Sequence, residues 1–406
     1  MFIYRCFFST FILFLCIACT PLTNDNNEES DDSSSTQAPT FTHKTDVWVS
    51  AYLGAWNHYA PPGGNWGNLP TEEIDWDAFT QLIYFSLKAN SDGSLSKIED
   101  FQNFNPDRLD AIVKAAHNNG KPVLFTIGGW GNHEEFSSAI SDQYREIFVD
   151  NLIEVMDVWE FDGIDLDLEP IQNEDIENYK KFVNLLHKKL QNKATSLGYK
   201  PMLTAATIWK PELFASLQEK FDQINLMTYD MSGAWPGWVS WHNAPVYSAG
   251  HLFPGTTNPL PSADSKTQEF LDAGVAKEKL GIGIDYYGYV WEGFVIKPLE
   301  TWLIKPTVKS NIPYYEIMKE FYSEENYRWD DEAKAAFISI SSIIPLNNRF
   351  ISYDDEKSIE AKFDYVRNKD LGGLIIWELS GGYQKDRPKG ERDILLQEVK
   401  HQLHDE

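Results

Sequence analysis

Hydrophobic and polar positions follow two rhythms along this chain. From Asp46 onward, short runs rich in aliphatic and β-branched residues are followed by longer segments in which apolar residues recur at helical spacing. This is the pattern of repeated βα units around a parallel sheet. Eight runs read as strands: Val47–Leu53, Gln81–Leu87, Pro122–Ile127, Phe161–Leu168, Met202–Thr207, Gln223–Thr228, Leu280–Tyr286 and Gly373–Leu379. The periodicity between them predicts helices over Pro106–Asn118, Glu134–Trp159, Asn173–Leu197 and Ser265–Ala273, with Gly120 and Gly274 as stops after the first and the last. Eight strands, each followed by a helix, predict an α/β fold of the (β/α)8 TIM-barrel kind over residues 46–406, in preference to an open doubly wound sheet. Two intervals are too long for plain βα loops. Residues 293–350, between strand 7 and helix 7, predict a small α+β insertion within the barrel, and Met231–Pro261, dense in Gly, Pro and Trp, predicts part of a groove wall.

The first residues break the pattern. Arg5 precedes an apolar run from Phe7 to Ala18 that is too short to span a bilayer but suits the central region of a signal peptide, so residues 1–18 predict export. All three cysteines, Cys6, Cys16 and Cys19, lie at this end, and a mature chain can therefore form no internal disulfide. Cys16-Ile17-Ala18-Cys19 resembles a lipobox, with Cys16 where Leu is usual, which makes Cys19 the expected site of lipid attachment; plain secretion or an uncleaved anchor is the alternative. Residues 19–45 are polar and acidic, a composition that cannot offset the entropy of ordering, and read as a flexible tether. The expected location is the outer membrane or cell surface as a lipoprotein, and otherwise the secreted fraction.

Charge narrows the partners. A formal net charge of −26 at pH 7 repels phosphate backbones, so nucleic acid is not an expected partner. A neutral ligand would be held by hydrogen bonds and flat apolar faces, which 14 Trp, 19 Tyr and 24 Phe supply, although many of these rings must be core. A monomer is expected.

The densest chemistry lies in Asp162-Gly163-Ile164-Asp165-Leu166-Asp167-Leu168-Glu169. Side chains alternate across a strand, so Asp165, Asp167 and Glu169 share one face while the aliphatic residues share the other. Three acids in a restricted volume cannot all ionise easily, and at least one should hold a proton near neutral pH. Glu169, nearest the strand's C-terminal end and on the longest side chain, is best placed to act as an acid, with Asp167 beside it and Asp165 below. A solvated edge strand and a divalent-cation site are the competing readings. The nine histidines are scattered, and Gly281-Ile282-Gly283 lacks the third glycine of a dinucleotide fingerprint, so neither metal nor cofactor is expected.

This octapeptide resembles the Asp-x-x-Asp-x-Asp-x-Glu signature of glycoside hydrolase family 18, the family of many chitinases. Thr126-Ile127-Gly128-Gly129-Trp130 resembles the family's Ser-x-Gly-Gly motif, and Met227-Thr228-Tyr229-Asp230 its Met-x-Tyr-Asp motif. His242-Asn243-Ala244-Pro245 and the stretch from Ser352-Tyr353-Asp354-Asp355 to Trp377 are similar to the chitinase branch. The resemblance implies Glu169 as general acid, Asp167 as the group that orients the substrate's acetamido, Tyr229 on the acetamido carbonyl, and Trp377 as the floor under the reacting sugar. Met227, Asp230, Gly129 and Tyr287 fall in the implied substrate-binding motifs, and Tyr52, Phe85 and Trp130 stand at similar strand ends. Tyr287-Gly288-Tyr289 departs from the family's Tyr-x-Arg element by lacking the Arg. The implied activity is retaining, substrate-assisted cleavage of β-1,4 linkages in chitin or N-acetylglucosamine oligosaccharides. An endo-β-N-acetylglucosaminidase acting on N-glycans and a non-catalytic chitin-binding lectin are the alternatives.

Overall fold

A computed structural model of the chain describes residues 45–58, 69–96 and 106–404. The segment read as a signal peptide, Cys19 and all of the tether but Thr45 lie outside the described residues. Among the described residues, no helix is long and apolar enough to cross a membrane.

Eight parallel strands close into a barrel in the order β1-β13-β7-β6-β5-β4-β3-β2. They are β1 (Trp48–Gly54), β2 (Gln81–Leu87), β3 (Val123–Gly128), β4 (Gly163–Asp167), β5 (Met202–Thr207), β6 (Gln223–Leu226), β7 (Leu280–Asp285) and β13 (Gly373–Trp377). A strand covered on both faces must be apolar nearly throughout, which is why these read as runs rather than as alternations. All seven residues of β2 and all six of β3 are buried. The helices around the barrel show the complementary stripe: Ile176–Leu197 buries Tyr179, Phe182, Val183, Leu186 and Leu190 and stops at Gly198, whose φ of 77° suits a residue without Cβ.

Three expectations need correction. The helix expected over Glu134–Trp159 is two, His133–Ala139 and Arg145–Val158. The carbonyl of Ser141 accepts the backbone N–H groups of Tyr144 and Arg145 and so starts the second helix, a break that no Gly or Pro announces. After β1 the repeat of a helix behind each strand is met, among the described residues, only by one turn at Ala55–His58 and two 3-10 turns, Thr71–Glu73 and Trp76–Ala78. The insertion is wider than 293–350. It is a five-stranded antiparallel sheet, β10-β11-β12-β8-β9, built from β8 (Tyr287–Gly293), β9 (Thr307–Pro313), β10 (Tyr327–Asp330), β11 (Ala335–Ile340) and β12 (Asn348–Tyr353), with one helix at Tyr314–Glu320. Since β8 starts directly after Tyr286, the sheet rises from the C-terminal end of β7, on the side of the barrel where such folds place their sites.

Candidate active site

Strand β4 delivers the carboxyl groups as its alternation predicts. Ile164 and Leu166 join the apolar layer under the helices. Asp165 points inward and is fully buried, with Oδ2 accepting from the hydroxyls of Tyr52 at 3.0 Å and Thr126 at 2.9 Å, and Oδ1 from Thr204 at 2.6 Å. Those donors come from β1, β3 and β5, so Asp165 ties its own strand to three others. Burial pushes its carboxyl up, and the three hydroxyl bonds oppose that rise.

Asp167 is also buried, and Glu169 lies just past the end of β4. The two carboxyls are hydrogen-bonded to each other, which requires a proton between them, because two ionised carboxylates offer only acceptors. Burial first, then the charges of Glu169 and Asp165, drives Asp167 well above the ordinary carboxylate range. Burial raises Glu169 to about 7, helped by the charge of Asp230 and opposed by hydrogen bonds from Asp167 and the Trp130 backbone. The Oδ1 atom of Asp167 is buried and has no hydrogen-bond partner in the protein.

The Gly-Gly turn after β3 makes the close approach possible. Gly128 and Gly129 have φ of 112° and 95°, and the Gly129 N–H donates to the Asp167 carbonyl at 2.8 Å. A Cβ at Gly128 would press into that same carbonyl, and one at Gly129 would stand 2.7 Å from the Phe85 ring. Trp130, next in line, is 73% exposed beside the acid.

Aromatic side chains form the cleft floor. Trp377 is half-buried, with ring centroids 4.6 Å from Phe85, 5.6 Å from Tyr52 and 6.4 Å from Trp56. Trp56, exposed and edge-on to Phe85, was not among the expected site residues although it follows β1 by two positions. Met227, Tyr229 and Tyr287 belong to the same apolar cluster. Tyr229 fits its place because Gly283 opposite has no side chain: a Cβ there would lie 2.6 Å from the tyrosine ring. Burial and the surrounding charges of Asp167, Asp230 and Glu169 push its phenol well up, so it is a hydrogen-bond donor at any physiological pH.

Two expected contact residues are placed as supports. Tyr52 and Tyr287 are almost fully buried, and each hydroxyl is committed to a carboxylate, Tyr52 to Asp165 and Tyr287 to Asp230 Oδ1 at 2.6 Å. Tyr289, standing where the family motif has Arg, donates a second hydrogen bond to Asp230. Asp230 is open to solvent on one side yet crowded on the other, and that crowding raises its carboxyl against both tyrosine bonds. Glu378, conspicuous in sequence beside Trp377, accepts from the Gly54 N–H at 3.3 Å and from the Ser380 hydroxyl, tying β1 to the end of β13. Among the described residues, no group of three or more His, Cys, Asp or Glu side chains is arranged to hold a metal ion.

An eight-stranded parallel barrel whose fourth strand carries a proton-sharing carboxyl pair, floored by an indole from the eighth, defines a TIM-barrel protein of the glycosidase class. The sequence profile of glycosyl hydrolases family 18 matches residues 49–382, and the chain belongs to that family. It is 31% identical to chitinase A1 of Niallia circulans over 67% of its own length, spanning 42% of that protein. It is 27% identical to a chitinase-like effector of Moniliophthora roreri, over 84% of this chain and 91% of that one. The fold is similar to the crystal structure of the group IV chitinase of Ostrinia furnacalis, with a TM-score of 0.73, 21% identity, and coverage of 88% and 100% of the two chains.

Proposed function

We propose that this chain hydrolyses β-1,4 linkages in chitin and related N-acetylglucosamine oligosaccharides, with retention of configuration and with the substrate's own acetamido group as nucleophile. The observation that carries this reading is the hydrogen bond between Asp167 and Glu169. A retaining pair that uses a protein nucleophile stands about 5–5.5 Å apart, on opposite faces of the sugar, and an inverting pair stands farther apart still. Carboxyls in hydrogen-bond contact cannot straddle the anomeric carbon. Attack must come from elsewhere, and the acetamido oxygen of the bound sugar is the group at hand.

Each residue then has a defined task. Glu169, protonated below about 7, donates to the leaving glycosidic oxygen. Asp167 keeps its own proton toward Glu169, supporting the carboxylate that forms, while its unpartnered Oδ1 accepts the acetamido N–H. Tyr229 donates to the acetamido oxygen and aligns it beneath the anomeric carbon, giving an oxazolinium-like intermediate. Glu169, now a base, activates water to open that ring. Asp165, locked by three hydroxyls, holds Asp167 from below. Trp377 supplies the flat apolar floor for the reacting sugar. Membership of the family and the names of the relatives support chitin as the polymer, and the inserted sheet suits a long groove better than a compact glycan-end pocket. The export signal and acylation at Cys19 belong to this proposal too, since chitin lies outside the cell.

The test follows the first-formed anomer by NMR with a fully acetylated oligomer, alongside one deacetylated at the sugar before the scissile bond. A β product and failure to cleave the deacetylated substrate are expected. An initial α product, or equal cleavage of both, would contradict the mechanism. Cleavage of a high-mannose glycoprotein in preference to the oligomer would replace the substrate.

A further inference from the structure

We propose that the far tip of the inserted sheet is a lipid-contacting surface that takes the interface of an anionic phospholipid bilayer. The geometry comes from strand register. β8 leaves the barrel at Tyr287 and runs to Gly293, where it pairs with Asn348 at the start of β12. The β8–β9 loop, residues 294–306, and the β11–β12 loop, residues 341–347, therefore close the same end of the sheet, about 20 Å along β8 from its start at ~3.3 Å per residue.

Both loops carry bare aliphatic side chains. Leu303 is 106% exposed and Ile343 102%, with Ile304, Ile344, Leu346 and Phe294 also exposed. Six exposed apolar side chains on two loops at one end of a sheet, on a chain this charged, call for an occupant. Mobility does not explain it, because the first loop is fastened. Val295 is buried, Trp302 packs on Trp291 at 5.8 Å, the Leu299 N–H donates to the Ser240 carbonyl at 2.6 Å, and the Glu300 carboxylate accepts from the Ile296 N–H at 2.7 Å. Leu303 and Ile304 are held outward from an anchored base.

Composition and charge choose the occupant. The fully bared side chains are aliphatic, which gives a sugar ring no face to stack on and gives acyl chains what they need. Charge runs opposite to the rest of the molecule. Residues 292–309 and 341–349 hold Lys297, Lys305, Lys309 and Arg349 against Glu292 and Glu300, four positive and two negative, hence +2 on a chain of −26. Glu292 is paired with Lys309 and Arg349, whereas Lys297 and Lys305 are exposed and in no ion pair among the described residues. Cations beside protruding aliphatics match an anionic headgroup layer over hydrocarbon. A second copy of this tip would set like charges against each other.

The experiment removes the acylation site and every native cysteine, and reads the tip through a dye placed there. In the full chain carrying Cys6→Ser, Cys16→Ser and Cys19→Ser, a polarity-sensitive dye is placed by Leu346→Cys at the tip or by Lys188→Cys on the helix Ile176–Leu197. Each protein is mixed with vesicles of phosphatidylglycerol and phosphatidylcholine in equal parts, or of phosphatidylcholine alone. The dye at position 346 is expected to shift to the blue on the anionic vesicles, less on neutral ones, and the dye at 188 to stay unchanged. Adding Leu303→Glu with Ile343→Glu is expected to weaken partitioning at least about tenfold, with hydrolysis of a soluble N-acetylglucosamine oligomer unaltered. No shift at 346, an equal shift at 188, or a shift indifferent to the double substitution would overturn the proposal. So would a shift that grows with protein concentration in the absence of vesicles, which would make the tip a contact between copies.

Discussion

Replacing Asp230 by Asn tests the electrostatics of the acid directly. Glu169 ionises at about 7, so log kcat/KM should fall with slope −1 above that pH as the donor loses its proton. The break belongs to the Asp167–Glu169 pair, since the two share a hydrogen bond. Burial is the largest cause of the high value and the Asp230 charge comes next among those that raise it. Asp230→Asn removes that charge and leaves burial in place. A unit charge at about 4 Å in a medium of effective dielectric about 20 contributes about 4 kcal/mol, and the solvent exposure of Asp230 cuts its share to on the order of 1 kcal/mol, or about one pH unit. The break should therefore move down by up to about one pH unit without reaching the range of an exposed glutamate. Tyr289→Arg offers an independent perturbation of the same sign, because it brings a cation against Asp230 where a neutral phenol now donates. The assay is initial rates on a chromogenic N-acetylglucosamine oligomer from pH 4 to 9, with thermal midpoints at each pH to separate unfolding from ionisation. An unmoved or upward-moving break in both variants, with stability intact, would refute the reasoning.

Other outcomes follow from the same structure. Glu169→Gln should bind oligomers and unfold at the wild-type temperature, yet lose a factor of about 10²–10⁴ in kcat, read with an unactivated oligosaccharide; retention of more than a few per cent of activity removes Glu169 from its role. Asp393 caps the helix Ile394–His404 through the Leu396 N–H at 3.1 Å, and burial raises its carboxyl from 3.8 to about 7. The folded chain thus binds this proton more tightly than the unfolded one, so its contribution is complete below about 4 and lost as pH rises through about 7. Asp393→Asn, which keeps an acceptor without a charge, should raise the melting temperature at pH 8 and change it little at pH 4. For the anchor, Cys19→Ser should move the protein from the membrane pellet to the soluble fraction at high salt, and unchanged fractionation with cleavage elsewhere would remove the lipoprotein assignment.

What the sequence makes legible here is what a local period determines. The two-residue alternation of Ile164 and Leu166 with Asp165 and Asp167 separates a packed face from a reactive one with no knowledge of neighbours, and β2 and β5 have the bounds their apolar runs predict. Boundaries set by hydrogen bonds rather than by residue type are hidden. The break at Ser141 depends on one backbone carbonyl, and β8 is hidden because only Tyr286 separates it from β7, with no turn residue to announce a second strand. Partnerships between distant strands are hidden more deeply: the hydroxyls on Asp165 lie 113 and 39 positions away in sequence. Tyr289 shows why this matters for function. The missing Arg of the family motif reads in sequence as one lost polar contact. In the folded protein the replacement phenol donates to Asp230 and neutralises nothing, so the charge of Asp230 continues to act on Glu169. A one-residue departure from a motif thereby leaves in place one of the charges that raise Glu169 beyond what burial does, a consequence that depends on which carboxylate the side chain reaches and not on the residue type alone.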